Sequence, residues 1–256
     1  MFRILVLALS LSLAGCFAAK DVQSDSKPID HTLFDTLLKR HVTEAGWVNY
    51  EGFIQDSAQL NQYLDLLSNN HPNRKNWSKD ERLAYWINAY NAYTVKLVTD
   101  HYPVQSIKDI KSGIGFINSV WDIKFIRIEG QEYDLNNIEH NIIRPKFKEP
   151  RIHFAVNCAS YSCPVLRAEA YTPDRLDEQL DEQARRFIND PLRNRVRAEN
   201  AELSKIFSWY GGDFKKGGRS VIDYVNQYAE TPANKGTDPD FIDYLWSLNS
   251  VQLQQK

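Results

Sequence analysis

Residues 78 to 98 constrain the fold of this chain more than any other stretch. Ser78 and Glu81 form the Ser-x-x-Glu pattern of a capping box, which places a helix start just before Leu83. From Ala84 to Val98 the sequence is apolar almost all round. A helix without a polar face must be covered on every side, so the rest of the chain is expected to wrap this one. Asn88 and Asn91 interrupt it, three positions apart and therefore on one face. A buried amide without partners costs about 1–3 kcal/mol per unsatisfied group. The two asparagines therefore either clamp the backbone of a neighbouring loop, the favoured expectation, or face a site.

The remaining pattern predicts mostly helices with a small, largely antiparallel sheet, an α+β chain. Helical spacing is found over residues 31 to 43 and again, as a second helix, through Ile54, Leu60, Tyr63, Leu64 and Leu67, with a short extended piece at Gly46–Tyr50 between them. Ile123 to Leu135, broken by Glu129-Gly130-Gln131, predicts a β-hairpin, and a short helix around Ile138–Ile143 is stopped by Pro145. Ile152 to Asn157 predicts a strand. Thr172-Pro173 opens a further helix with Leu176, Leu180, Ala184 and Phe187 on one face and candidate ion pairs Asp181–Arg185 and Glu182–Arg186. Leu203 to Trp209 predicts a last strand, and helices are expected near 219–229 and 238–248. The loop Ser112-Gly113-Ile114-Gly115 lacks a Walker or dinucleotide pattern, and no cofactor is expected.

The N-terminus sets the expected compartment. Met1-Phe2-Arg3 followed by the apolar run Ile4–Leu13 fits a secretory signal, too short to span a ~30 Å hydrocarbon core. Leu13-Ala14-Gly15-Cys16 resembles a bacterial lipobox, so residues 1–15 are expected to be removed and Cys16 acylated. Residues 16–30 then form the lipidated N-terminus and tether, and 31–256 a single globular domain. Phe17 rather than Asp after the cysteine favours the outer membrane, facing the periplasm of a Gram-negative cell. The membrane is thus the expected partner, held through lipid. The chain carries a formal charge of −2, and no basic excess points to nucleic acid. Its 6 Trp and 13 Tyr fit an aromatic-rich core or a cleft for a peptide or glycan. Oligomeric state is not encoded in any pattern found.

Four motifs resemble those of the domain-of-unknown-function 547 family (DUF547). They are Tyr85-Trp86-Ile87-Asn88-Ala89-Tyr90-Asn91-Ala92-Tyr93-Thr94-Val95, Ile138-Glu139-His140-Asn141-Ile142-Ile143-Arg144, Arg151-Ile152-His153-Phe154-Ala155-Val156-Asn157-Cys158, and Phe207-Ser208-Trp209-Tyr210 followed by Asp213-Phe214. The resemblance spans roughly residues 75 to 215. It implies little about activity, since the family is named for lacking one. It implies that the cysteine at Cys158 is usual and that the position of Cys163 varies, so Cys158 has a use independent of Cys163. It also suits export, which is common among bacterial members.

Three readings of the segment Ile152–Pro164 compete. Cys158 can be the nucleophile of a thiol-dependent hydrolase or acyl transferase, with His140 or His153 as base and Glu139, Asn88 or Asn157 as orienter or oxyanion donor. His153 lies five positions before Cys158, so a straight strand would turn them to opposite sides, whereas a turn from Asn157 would not. Alternatively, Cys158 and Cys163 form a disulfide, the prior expectation for two exported cysteines, bracing a non-catalytic module that binds a peptide or glycan. A metal site is disfavoured, because the two cysteines are spaced too widely and lack a second Cys/His pair.

Overall fold

A computed structural model describes residues 24–111 and 119–253. The expected signal at 1–15, Cys16, the first part of the tether and the loop Ser112–Gly115 lie outside the described residues.

Three helices come first, α1 (Thr32–His41), α2 (Tyr50–Gln55) and α3 (Ser57–Ser68). They bury Phe34, Leu37, Leu38, Phe53, Leu60, Tyr63 and Leu67 in one cluster with α4 (Lys79–Thr99). The capping box at the start of α4 forms as expected. Ser78 Oγ accepts from the Glu81 N–H at 3.1 Å, and Glu81 Oε2 accepts from the Ser78 N–H at 2.6 Å. Every residue from Leu83 to Val95 is buried, so α4 is the axis around which the chain is wrapped.

The asparagines of α4 act on two separate loops. Asn88 Nδ2 donates to the Tyr171 carbonyl at 2.8 Å and its Oδ1 accepts the Tyr171 N–H at 3.0 Å. Asn91 Nδ2 donates to the Ala155 carbonyl at 3.0 Å, and its Oδ1 accepts the Asn157 N–H at 2.8 Å. Each amide thus supplies both hydrogen bonds that a neighbouring strand would otherwise give.

The hairpin pairs β1 (Ile126–Ile128) with β2 (Gln131–Tyr133), Ile126 opposite Tyr133. Glu129 and Gly130 at its tip both have positive φ, the backbone of a two-residue hairpin turn for which glycine is suited. A π-helical segment, Asn137–Ile143, follows and runs into α5 (Arg144–Phe147).

The strand expected at Ile152–Asn157 is not one. Pro150–Phe154 forms a 3₁₀ turn, with Glu149 accepting from the Arg151 N–H at its start. The apolar run reads as a strand because it is buried from end to end. Its backbone, however, is satisfied by the turn and by Asn91, with no strand alongside.

Helix α6 (Leu176–Ile188) buries the expected apolar face, yet its expected ion pairs do not form. Asp181 accepts instead from Arg151 at 2.7 Å, and Glu182 pairs with Arg167, because an arginine of the 3₁₀ turn and one of the loop before α6 reach these carboxylates.

The second sheet has the order β3 (Arg195–Val196), β4 (Ala201–Ser204), β5 (Asp240–Ile242), with β3 and β4 antiparallel and β4 and β5 parallel. The strand expected to reach Trp209 stops at Ser204, whose Oγ accepts the Ile206 N–H at 3.3 Å and starts α7 (Lys205–Trp209). Then come α8 (Gly211–Phe214) and α9 (Val221–Val225), the latter shorter than the helix expected at 219–229.

The helix expected near 238–248 is β5 and an extended strap. Backbone bonds from Tyr161 N–H to Ser247 C=O, Leu248 N–H to Gln105 C=O and Asn249 N–H to Ala159 C=O hold the strap across the surface. A helix would have forfeited these partners. The aromatic residues of this half, Phe154, Phe187, Phe207, Phe214 and Tyr224, form a second apolar cluster.

Acid weakens this core through a histidine far from the thiols. His31 is buried beside Tyr63, its Nδ1 2.7 Å from the Tyr63 hydroxyl, and burial lowers its pKa to about 4 despite the pull of Asp30. The unfolded chain takes a proton near pH 6.5 that the folded chain refuses until about pH 4. Stability therefore falls as pH drops through this window, by about 2–3 kcal/mol at pH 4.5 from this group alone. In urea titrations, the stability gap between the wild type and His31→Gln is expected to narrow by that amount from pH 7 to 4.5. Parallel curves would contradict the assignment.

Candidate functional site

A cavity of about 230 Å³ draws its lining from both apolar clusters, with Tyr90 and Val156 from the first and Ile206 from the second. Into it come Glu139, His140, His153, Cys158 and Cys163, together with Trp121, Trp209, Tyr210, Tyr244 and Trp246. Asn88 and Asn91 are absent from this lining and act from behind.

Cys158 sits at a corner made by the backbone. Asn91 fixes the Asn157 N–H, Asn157 Oδ1 accepts the Ala159 N–H at 2.9 Å, and Asn157 Nδ2 donates to the Pro164 carbonyl at 2.7 Å. Ala159 takes a φ of 60°, a left-handed conformation that costs a non-glycine residue on the order of 1 kcal/mol. This sharp turn, preceded by the 3₁₀ segment, removes the geometric objection to His153. Both His153 and Cys158 line one cavity.

The two cysteines are free thiols, which corrects the expected disulfide. Cys163 is turned inward, where its Sγ accepts the Cys158 N–H at 2.9 Å and lies 3.9 Å from the Val156 carbonyl oxygen. Its sulfur thereby serves as a hydrogen-bonding neighbour of Cys158 and not as its covalent partner. The Cys158 Sγ also lies 3.2 Å from Ser160 Oγ and 3.2 Å from the Tyr244 hydroxyl. The hydrogen bond from Cys163, then those from Ser160 and Tyr244, outweigh burial and lower the Cys158 thiol to about 7. Burial pushes Cys163 well up, so it keeps its proton at neutral pH, and the same holds for Tyr244.

Among the described residues no imidazole hydrogen-bonds to the Cys158 sulfur; His140 and His153 face other groups. His153 is 3 % exposed and stacked on Tyr210, ring centroids 4.0 Å apart. Its Nε2 lies 2.9 Å from Asp213 Oδ2, which also accepts from Arg144 Nε at 2.7 Å. Those two donors hold the Asp213 carboxyl well below the usual range, so it is ionised and the imidazole carries its proton on Nε2. Burial lowers the His153 pKa. The neutral ring leaves Nδ1 bare, buried and without a hydrogen-bond partner, 3.9 Å from Glu139 Oε1. His140 is exposed, and its Nδ1 accepts from Arg144 at 2.9 Å, which leaves its proton on Nε2. Glu139 and His140 both ride on the π-helical segment, a widened turn often found at functional sites.

Several residues here carried no assignment in the sequence. Asp213 and Tyr210 stand inside a quoted motif, but nothing in their spacing pairs them with His153. Tyr244 and Trp246 fall in the stretch read as a helix. Their alternation with exposed Leu245 and Ser247 is the period-two signal of the strap. Trp209 is 48 % exposed and stacked on Trp246, which also touches Tyr244 and Trp121. Among the described residues, no group of three or more His, Cys, Asp and Glu is placed to hold a metal ion, and no helix is long and apolar enough to cross a membrane.

No curated protein and no solved structure matches the chain. The family match stops short of the 215 suggested by the motifs, so Trp209, Tyr210, Asp213, Tyr244 and Trp246 all lie outside it. Over residues 74–188 the chain matches the family described as protein of unknown function, DUF547.

Proposed function

We propose that this protein is a thiol-dependent acyl transferase or hydrolase in which Cys158 attacks a carbonyl carbon. The observation that carries this reading is a partly exposed thiol lowered to about 7 at the wall of an aromatic cavity. At that value the thiolate is well populated at neutral pH without an imidazole partner. His153 then serves the other proton transfers. Asp213 fixes its tautomer, and bare Nδ1 accepts a proton from the group that attacks the acyl carbon or returns one to the group that leaves. His140, with Nε2–H, is a donor. Glu139 flanks the imidazole, while Asn88, Asn91 and Asn157 support the loops. With Cys16 acylated, the enzyme would sit on the outer membrane and face the periplasm.

The test is p-nitrophenyl acetate. A burst of p-nitrophenolate stoichiometric with protein is expected, with the acetyl group recovered by mass spectrometry on the peptide containing Cys158 and absent from Cys158→Ala. Acetylation at other residues only, or none, would contradict the proposal. A second reading, a module that binds a peptide or glycan, is favoured by Trp209, Tyr244 and Trp246, which offer a partly exposed aromatic surface at the cavity. It predicts ligand binding unaffected by Cys158→Ala and no acyl-enzyme.

A further inference from the structure

The formal charges of the cavity are one-sided. Among the described lining residues, Glu139 is the one carboxylate, and no lysine or arginine is present. Glu139 is 6 % exposed. Within ion-pair distance it has two imidazole nitrogens, at 3.9 Å in His153 and 4.0 Å in His140, and among the described residues no lysine or arginine. His153 Nδ1 and His140 Nδ1 are both unprotonated in the tautomers set by Asp213 and Arg144, so neither supplies a proton to Glu139. The Tyr210 hydroxyl stays neutral, its pKa raised by burial and then by the charge of Glu139. A buried carboxylate thus lies beside a bare, unpartnered nitrogen, two acceptors 3.9 Å apart with no hydrogen between them.

Such an arrangement is costly unless a donor joins it, and a positive donor suits it best. The walls agree. Tyr90, Trp121, Trp209 and Tyr244 surround the cavity, and aromatic faces attract ammonium groups. The protein itself uses the outer wall in this way, since Lys108 Nζ lies 4.0 Å from the Trp246 ring centroid. The Cys158 thiolate, where formed, adds a second negative charge to the same cavity.

We propose that Glu139 and His153 Nδ1 form a subsite for a primary ammonium group, so that the partner of the acyl carbon is an amine. The binding half of this proposal is independent of Cys158, and the chemical half rests on Cys158 as acyl carrier. For transfer, the ammonium ion gives one proton to His153 Nδ1. The freed amine attacks the thioester carbonyl, the C–N bond forms and the C–S bond breaks. A second proton passes from the nitrogen to the departing sulfur. An amide, the Cys158 thiol and an imidazolium remain. That imidazolium lies between the carboxylates of Asp213 and Glu139, which stabilise it. Amide cleavage is the same sequence reversed, followed by water attacking the thioester.

The probes are phenethylammonium and its neutral analogue 2-phenylethanol, titrated against the full chain with tryptophan fluorescence as the signal. Phenethylammonium is expected to bind roughly ten-fold more tightly than the alcohol. That preference should vanish in Glu139→Gln and persist in Cys158→Ala. Equal binding of the two probes, no saturable binding of the ammonium ion, or an ammonium preference that survives Glu139→Gln overturns the subsite. Circular dichroism checks that Glu139→Gln is folded, and if it is not, the wild-type comparison of the two probes decides. Ammonium preference in Cys158→Ala together with a failed p-nitrophenyl acetate burst would sink the thiol chemistry and leave the subsite standing. The reverse pair of results would do the opposite.

Discussion

Replacing Asn91 by alanine is expected to destabilise the fold by about 2–6 kcal/mol and to strip Cys158 of its reactivity. The amide is 2 % exposed and serves the Ala155 carbonyl and the Asn157 N–H, two backbone groups with no strand to pair with. Alanine leaves both buried and unsatisfied, at about 1–3 kcal/mol each. The second loss follows from position. Asn157 begins the corner that presents Cys158, so releasing its N–H frees the turn that aligns the thiol with Cys163, Ser160 and Tyr244. Asn88→Ala is the control. It orphans the Tyr171 N–H and carbonyl in the same way, past Cys163 in the chain and away from the Asn157 corner that presents Cys158. Urea unfolding should therefore show similar losses for the two variants, while alkylation of Cys158 under native conditions slows in Asn91→Ala and changes by less than about two-fold in Asn88→Ala. Equal slowing in both would mean that the clamp contributes stability alone.

Cys163→Ala is expected to reduce the reactivity of Cys158 at pH 6.5 although Cys163 never enters the chemistry. Its hydrogen bond is the largest contribution holding the Cys158 thiol near 7. A return toward the ordinary ~8.5 would cut the thiolate fraction at pH 6.5 roughly twenty-fold. The more basic thiolate is intrinsically a better nucleophile, with a Brønsted slope of about 0.4–0.5, and regains part of this. A net decrease of roughly five-fold in the rate with iodoacetamide is expected, with a steeper rise toward pH 9. Cys163→Ser keeps a hydroxyl donor and should recover part of the rate.

Much of the scaffold was legible because it rests on local rules. The capping box at Ser78–Glu81, the apolar sweep of α4 and the turn between β1 and β2 are set by nearby residues, and each is where its pattern places it. The segments that departed share another cause. Ile152–Asn157 and the 238–248 stretch take their backbone partners from distant parts of the chain, Asn91 for one and residues 105 and 159–161 for the other. Periodicity reports burial and not who supplies the hydrogen bonds, so an apolar run can be a 3₁₀ turn and an apparent helix can be a strap.

The site follows the same division. Cys158, His153, His140 and Glu139 were visible as residue types that do chemistry, and all four line the cavity. Their pairing was not visible. Asp213 meets His153 across 60 positions, and Tyr244 meets Cys158 across 86, contacts made by folding alone. The disulfide expected from compartment was overridden by orientation, since Cys163 faces inward to the Cys158 N–H.

The central claim is that Cys158 is a free thiol activated by its hydrogen-bonding neighbours, and the pH dependence of its alkylation tests this most directly. Iodoacetamide labelling of the native protein, purified without reductant and resolved by peptide mass spectrometry, should show Cys158 reacting with a midpoint near pH 7 and Cys163 unlabelled until the chain is unfolded. A midpoint at or above about 8.5, the value of an unperturbed thiol, or a Cys158 that labels only after reduction, would contradict the account.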